Sequence, residues 1–191
     1  MRLFRTPGRA LAFGVQRWGT LLRFSGCGLL ALWMVTGCSP VEEGKPNGPG
    51  PKAPDFSLQR LGSDERVGLA DLQGKVVILD FWATWCLPCI DQIPALNAFH
   101  AAHAEDPAVL VFGVSADLEG AENVAQWVKE KGVRYPILLG GASLAQDFGA
   151  PGFPVTYFLD RQGRIQKQHV GVIQADELER DLAEMSRDAS G

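Results

Sequence analysis

The residues VVILDFWATWCLPCIDQIP, numbered 76–94, join a nearly continuous apolar run to a pair of cysteines. Residues 76–82 have the length and the β-branched content of a buried central strand. Cys86 and Cys89 follow that strand, at the point where a helix should begin and continue to about residue 104. Pro94 lies inside the expected helix and should kink it. The segment therefore predicts a strand, a cysteine pair and a helix in direct succession.

Shorter elements are predicted on both sides of this segment. Apolar and β-branched patterns predict strands at residues 56–61, 67–69, 109–115, 135–139, 155–159 and 164–170, and amphipathic patterns predict helices at 121–131, 143–148 and 175–185. Residues 160–163 form the loop of a hairpin, with Gly163 able to take a positive φ. The order predicts an α/β fold with a central sheet and helices on both faces.

The first residues have the pattern of an export signal. Residues 1–37 contain five arginines and no acidic residue, and an apolar stretch at 24–35 is shorter than the ~20 residues that span a membrane. The signal ends in VTGC, whose last residue is Cys38, and this resembles the bacterial lipoprotein box, in which the cysteine is lipidated after cleavage. Ordinary cleavage near Gly37 and an uncleaved anchor are the alternatives.

A linker rich in proline and glycine follows. Residues 38–54 would comprise the lipidated cysteine and a tether reaching at most ~50 Å, and the folded domain would occupy residues 55–191. Removing residues 1–37 leaves 13 Lys and Arg against 22 Asp and Glu, a formal charge of −9, because the signal takes five of the 18 basic residues. Nucleic-acid binding is therefore not expected.

Four chemistries could use the cysteine pair. Haem attachment needs CxxCH, but residue 90 is isoleucine. A zinc site completed by His100 and His103 is not expected, because an unbroken helix from Cys89 to His100 would separate these two ligands by about 16 Å. A purely structural disulfide closing so small a loop would stabilise the fold little. A redox pair remains, and export places it where disulfides persist.

The surroundings of the pair favour redox chemistry. A helix N-terminus at Cys86 would stabilise its thiolate. Pro88 suits the first turn of a helix, where a missing N–H is not needed. Cys89, one turn further in, should be the more buried sulfur, and stepwise disulfide exchange needs such unequal thiols.

The segment 76–94 resembles the active-site segment of thioredoxins. Together with the lipoprotein-like start, APDFSL at 53–58 and PGFPVTYFLD at 151–160, it is most similar to the TlpA/ResA-like branch, the exported thiol–disulfide oxidoreductases of bacterial envelopes. The resemblance covers about residues 53–187. It implies a thioredoxin fold, with a central mixed β-sheet flanked by helices and an N-terminal β-hairpin extension.

The resemblance also implies roles for particular residues. Cys86 matches the nucleophile and Cys89 the resolving cysteine. Trp85 matches the tryptophan beside the disulfide and, with Leu87 and Pro88, would contact substrate.

A second group of implied site residues lies further along the chain. Pro154 matches the family's cis-proline, and the backbone at Phe153 would pair with an extended substrate chain. A trans proline in a turn is the alternative. A cis bond is acceptable at this position because before proline it is only about 0.5–1 kcal/mol less stable than trans.

Asp80 matches the buried aspartate of cytoplasmic thioredoxins. A buried carboxylate has a raised pKa and could take the Cys89 proton. An exposed, edge-facing side chain is the alternative. Relatives often have a glutamate a few residues after the second cysteine, where this chain has Asp91 and Gln92.

The expected function is reduction of disulfides in exported proteins, with cytochrome c maturation as one setting. The expected partners are those proteins and a membrane thiol donor that recharges the chain. No cofactor other than the Cys86–Cys89 disulfide and no metal is expected. The protein would be a monomer facing the periplasm on a lipid anchor, and Ser39 leaves inner and outer membrane undecided.

Other functions remain open. An oxidase or isomerase would use the same pair, although the uncharged Leu87 and Pro88 favour a potential near −270 mV over one near −120 mV. A peroxiredoxin-type peroxidase would need P-x-x-x-T-x-x-C, but Ala83 stands where the threonine belongs. A tethered binding module without turnover is the third alternative.

Overall fold

The computed structural model describes residues 50–118 and 120–188. The predicted signal at 1–37, Cys38, and residues 39–49 of the predicted tether lie outside the described residues. Among the residues described, no helix combines the length and the apolar character that a membrane crossing requires.

Seven strands and four α-helices make up the described chain, in the predicted order. The strands are β1 (Ser57–Arg60), β2 (Arg66–Gly68), β3 (Val76–Trp82), β4 (Val109–Ser115), β5 (Ile137–Leu139), β6 (Val155–Leu159) and β7 (Ile165–Val170). The helices are α1 (Ile93–Ala102), α2 (Ala121–Lys131), α3 (Gly141–Asp147) and α4 (Ala175–Asp188). Short 3-10 helices occupy Leu69–Leu72 and Pro88–Ile90.

All seven strands form one mixed sheet in the order β2-β1-β5-β4-β3-β6-β7. The strands β3, β4 and β5 are parallel, whereas β6 and β7 complete one side in antiparallel pairing. The hairpin of β1 and β2 extends the other side by pairing antiparallel with β5. These findings confirm the mixed sheet and the N-terminal hairpin extension.

The central strand β3 is buried along its whole length. Because side chains alternate between the faces of a strand, β3 contributes to two apolar layers. Val77, Leu79 and Phe81 pack in one layer. Ile78 and Trp82 pack in the other, which contains both cysteines and buried residues of α1 and α4. Asp80 has the same parity as Ile78 and Trp82, so it faces this second layer.

The sequence predicts a helix from Cys86 to about residue 104, and the predicted start is wrong. The chain instead forms the 3-10 helix Pro88–Ile90, and α1 begins at Ile93 with Pro94 as its second residue. Pro94 has no N–H, and its ring would collide with the carbonyl of Ile90 in a continuous α-helix. The proline therefore marks the beginning of α1 and does not kink a longer helix.

Residues before 55 are part of the described fold. Lys52 pairs with Arg164 as an antiparallel bridge, and the N–H of Ala53 donates to the carbonyl of Gly163 at 2.9 Å. The N–H of Ile165 donates to the carbonyl of Pro51 at 2.8 Å. The last residues that the composition assigns to the tether therefore extend the edge of the sheet at the start of β7.

Candidate active site

The two cysteines are joined by a disulfide bond directly after β3. The S–S distance is 2.00 Å, and the Cys86 N–H donates to the carbonyl of Ala83. Cys86 is 4% exposed and Cys89 is 2% exposed, so Cys89 is the more buried cysteine, as predicted, although the difference is small in the disulfide form. The neighbouring Trp85 and Leu87 are 69% and 75% exposed. Apolar side chains therefore surround the disulfide on the protein surface.

The expected helix N-terminus at Cys86 needs correction as well. Leu87 caps a 3-10 helix of three residues, and α1 begins seven residues after Cys86. The helix dipole acts within the first turn of a helix, so α1 does not stabilise a Cys86 thiolate in the way that an α-helix beginning at Cys86 would.

The peptide bond between Phe153 and Pro154 is cis, as predicted. It immediately precedes β6, and the carbonyl of Pro154 accepts from the N–H of Gly171 at 2.9 Å. The ring of Phe153 packs against Trp85 with 5.8 Å between centroids. This contact joins the cis-proline loop to the residue before Cys86.

Asp80 is buried, which excludes the exposed alternative. Its Oδ1 accepts from Gln92 Nε2 at 2.7 Å and from Thr156 Oγ1 at 3.3 Å. Its Oδ2 has no hydrogen-bond partner among the described residues. Burial raises the pKa of Asp80 to about 7, although the bonds from Gln92 and Thr156 favour the carboxylate and oppose that shift. The carboxyl group is therefore poised to exchange a proton near neutral pH.

The sequence interpretation missed the residues that hold Asp80. Gln92 is fully buried and bridges the strand to the segment before α4, because its Oε1 accepts from the N–H of Ile173 at 3.4 Å. Thr156 is paired with Asp80 in the register of β3 and β6. Tyr135 is also buried and faces Asp80, whose charge adds to burial in raising the tyrosine pKa. The sequence signal that could have identified Gln92 is a single amide side chain on the apolar side of the helix predicted from Cys86.

A cavity of about 620 Å³ lies beside the disulfide loop. Trp85 and Phe153 line one side, and Leu118 and Ala145 line another. Asp117 also borders the cavity, but its carboxylate is occupied by the N–H and hydroxyl of Thr84 and by the Ser115 hydroxyl.

The two histidines of the zinc alternative do not approach the cysteines as ligands. His103 Nε2 lies 3.1 Å from Glu179 Oε1, between the end of α1 and α4. His100 borders a separate small cavity near β4. In the described ranges no group of three or more His, Cys, Asp and Glu side chains is arranged to hold a metal ion.

Comparison with known proteins gives consistent results. The AhpC/TSA family matches residues 49–168. The chain is 36% identical over 133 residues to the thioredoxin-like protein YneN of Bacillus subtilis, covering 70% of this chain and 78% of that protein. It is 30% identical over 131 residues to the thiol–disulfide oxidoreductase ResA of Bacillus thuringiensis, covering 68% and 74%.

A solved structure supports the same assignment. The thioredoxin-family thiol:disulfide interchange protein of Chlorobium tepidum superimposes with a TM-score of 0.62 at 26% identity, covering 72% of this chain and 97% of that one. The shared fold and the bonded CxxC pair therefore define a thioredoxin-like protein. The chain belongs to the AhpC/TSA family and, within it, to the thiol–disulfide oxidoreductases related to ResA and YneN.

Proposed function

We propose that this protein reduces disulfide bonds in other exported proteins through Cys86 and Cys89. The observation that supports it best is the disulfide itself, which lies between the exposed apolar side chains of Trp85 and Leu87 and packs in the layer that the buried Asp80 faces. A target chain could pack against Trp85 and Leu87 while its disulfide approaches Cys86.

The reaction consists of two exchanges. The Cys86 thiolate attacks one sulfur of the target disulfide, forms a mixed disulfide and expels the other target sulfur as a thiolate. Cys89 loses its proton and attacks the Cys86 sulfur, which restores the internal disulfide and expels the second target thiolate. The target gains two electrons, its thiolates take up two protons, and this protein becomes oxidised.

Asp80 would accept the proton of Cys89. A base is most effective when its pKa lies near the working pH, and the pKa of Asp80 is raised to about 7. Asp80 and Cys89 both face the layer between β3 and α1. The transfer would run directly or through one water molecule.

The direction of the reaction rests on the residues between the cysteines. Strongly oxidising members of this fold stabilise the nucleophile as a thiolate with a charged residue between the cysteines. Leu87 and Pro88 add no charge, and α1 begins too far along the chain to stabilise the anion. A potential near that of thioredoxin, about −270 mV, fits these residues better than one near −120 mV.

The setting proposed for this activity is the bacterial envelope. Export of the chain would be followed by lipidation of Cys38, with the domain facing the periplasm. A membrane thiol donor would reduce the Cys86–Cys89 disulfide after each turnover. Cysteines awaiting haem attachment in cytochrome c are one class of target consistent with this placement.

Two measurements test the proposal. Equilibration with glutathione buffers should give a potential below about −200 mV, and the protein should accelerate insulin reduction by dithiothreitol. A potential above about −150 mV would establish an oxidase or isomerase instead. No acceleration of insulin reduction would leave a binding module.

The targets can be captured with Cys89→Ser. This variant should accumulate mixed disulfides with its targets through Cys86, because the resolving thiol is missing. Cys86→Ser is the matched control and should capture far fewer. Mass spectrometry of the captured chains then identifies the substrate class, including any apocytochrome.

A further inference from the structure

Gln92 lies between three parts of the site. It follows Cys89 by three residues, it donates through Nε2 to Asp80 Oδ1 at 2.7 Å, and its Oε1 accepts from the Ile173 N–H at 3.4 Å. Its side chain is fully buried. Because both its amide nitrogen and its amide oxygen form hydrogen bonds, the buried Gln92 side chain holds a single orientation.

The backbone N–H of Ile173 fixes the orientation of the Gln92 amide. The N–H of Ile173 can only donate, so the glutamine must offer it the oxygen and turn its NH₂ toward Asp80. The Thr156 hydroxyl donates to the same oxygen of Asp80 at 3.3 Å. Both donors therefore converge on Oδ1, whereas Oδ2 is buried without a partner among the described residues.

We propose that Gln92 is a positioning residue for proton transfer. Oriented by Ile173, it donates a hydrogen bond to Oδ1 of Asp80 and so leaves Oδ2 as the oxygen that accepts the Cys89 proton. This inference rests on the proposed function and deepens it. In the resolving step the S–H bond of Cys89 breaks and an O–H bond forms on Oδ2. The Cys89 sulfur then bonds to Cys86, and the target sulfur leaves with the electron pair of the mixed disulfide.

Other titratable groups also face Asp80 or the layer in which it lies, and they must be considered when the pH dependence of the site is interpreted. Tyr135 approaches from the segment before β5, and its pKa is raised by burial and by the Asp80 charge. His169 is aligned with Thr156 on β7, on the same face of the sheet, and its ring contacts the carbonyl of Val172. Cys89, once reduced, faces the layer from the α1 side. Variants of Gln92 leave all these groups in place.

The test compares the carboxyl pKa of Asp80 in wild type and in Gln92→Met by carbon-13 NMR. Methionine has nearly the same length but lacks both polar ends. Because a hydrogen bond to the carboxylate is lost, the pKa of Asp80 should rise by about one pH unit or more. Gln174→Met is the matched control: it removes an exposed glutamine from the same segment as Ile173 and should leave the pKa unchanged.

The kinetic counterpart is the pH profile of the resolving step, measured in single turnover with a fluorescent peptide disulfide. Gln92→Met should move the rising limb to higher pH by the same amount as the carboxyl pKa. In an Asp80→Asn background, Gln92→Met should cause no further shift. An equal shift in that background, or an unchanged Asp80 pKa, would overturn the proposal.

A second variant and an independent measurement distinguish failure of this inference from failure of the proposed function. If Gln92→Met does not fold, Gln92→Glu retains the acceptor for Ile173 and should also raise the pKa of Asp80, because two carboxyl groups then share one site. If the wild type does not reduce disulfides, the proposed function fails. The NMR titration still decides whether Gln92 governs Asp80.

Discussion

The carboxyl group of Asp80 ties the stability of this protein to pH. Its pKa is about 7 in the folded chain and near 3.9 in an unfolded one, so the folded state binds the proton more tightly. The stability from this group is therefore fully present below pH 4 and is lost as pH rises through 7. A difference of about three pH units corresponds to about 4 kcal/mol, as an upper bound.

Asp80→Asn should remove this loss of stability. The free energy of unfolding of the variant, minus that of wild type, should rise between pH 4 and pH 9 by up to about 4 kcal/mol, because the variant buries no charge. Urea denaturation at several pH values measures the difference. A difference that stays flat across that range would contradict the raised pKa.

At the scale of elements, β4 approaches its neighbours closely because position 113 is glycine. A Cβ at Gly113 would lie 2.6 Å from Ile137 Cδ1, 2.7 Å from Trp82 Nε1 and 2.9 Å from Tyr135 Cε2. These contacts are shorter than van der Waals distance and involve buried side chains. The glycine thus allows Trp82 and Tyr135 to pack over β4 in the register position opposite Asp80.

Gly113→Ala should destabilise the fold by about 1–3 kcal/mol, because overpacking forces buried side chains from their rotamers. Chemical denaturation measures the change. Gly152→Ala is the control: apart from its chain neighbours, no atom of the described residues lies within 4 Å of the added Cβ, and its φ is outside the left-handed region. Equal stabilities of the two variants would show that β4 yields without strain.

A partly buried ion pair joins β7 to α4, and Lys167 also lies 3.9 Å from Glu184. Lys167 Nζ donates to Asp181 Oδ1, and Asp181 is only 2% exposed. Lys167→Met should lower the free energy of unfolding by about 1–3 kcal/mol, because it leaves a buried carboxylate without its charged donor.

The matched control for Lys167 is Arg180→Met, on α4. Arg180 pairs with Asp176 and Glu177 at 3.7 and 3.9 Å on the surface, where such pairs contribute little. Thermal or chemical denaturation of both variants makes the comparison. A larger effect at Arg180 than at Lys167 would contradict the assignment.

At the scale of the whole molecule, the described part of the chain begins at the end of the sheet opposite the disulfide. β6 starts beside the cis-proline and ends at Leu159, which pairs with Val77 at the start of β3. Residues 50–53 pair with the chain just beyond that end. If Cys38 carries a lipid anchor, the disulfide should therefore face away from the membrane surface.

Energy transfer in proteoliposomes measures this orientation. With Cys86 and Cys89 replaced by serine, a fluorophore at Gln162→Cys should transfer more strongly to acceptor lipids than one at Leu118→Cys. Gln162 is in the loop beside residues 50–53, and Leu118 follows β4 at the end where Ser115 pairs with Trp82. Equal transfer would contradict the expected orientation.

The pairing of residues 50–53 with the start of β7 can be tested separately. A Cβ at Gly50 would lie 1.8 Å from the carbonyl oxygen of Ile165, so Gly50→Ala should displace residues 50–53 from β7. The N–H groups of Ala53 and Ile165 should then exchange faster with solvent by NMR. Lys52→Ala keeps the backbone pairing and should leave that protection unchanged.

Much of this molecule was determined by local sequence. The apolar run of β3, the CxxC pair, the hairpin loop at 160–163 and the proline after Phe153 each specify structure through neighbouring residues, and the order of elements follows from them. Periodicity and turn chemistry are short-range properties, so they can be read without knowing the fold.

The tertiary structure decided the environment of the reactive groups. Gln92, Thr156 and Ile173 are far apart in sequence. They meet around Asp80 only because β6 pairs with β3 and because the segments before α1 and before α4 pack on the same face of β3. A pKa near 7 also depends on how completely the packed layers exclude water from a carboxyl group. Burial and long-range hydrogen bonding are products of the whole fold, and no local pattern contains them.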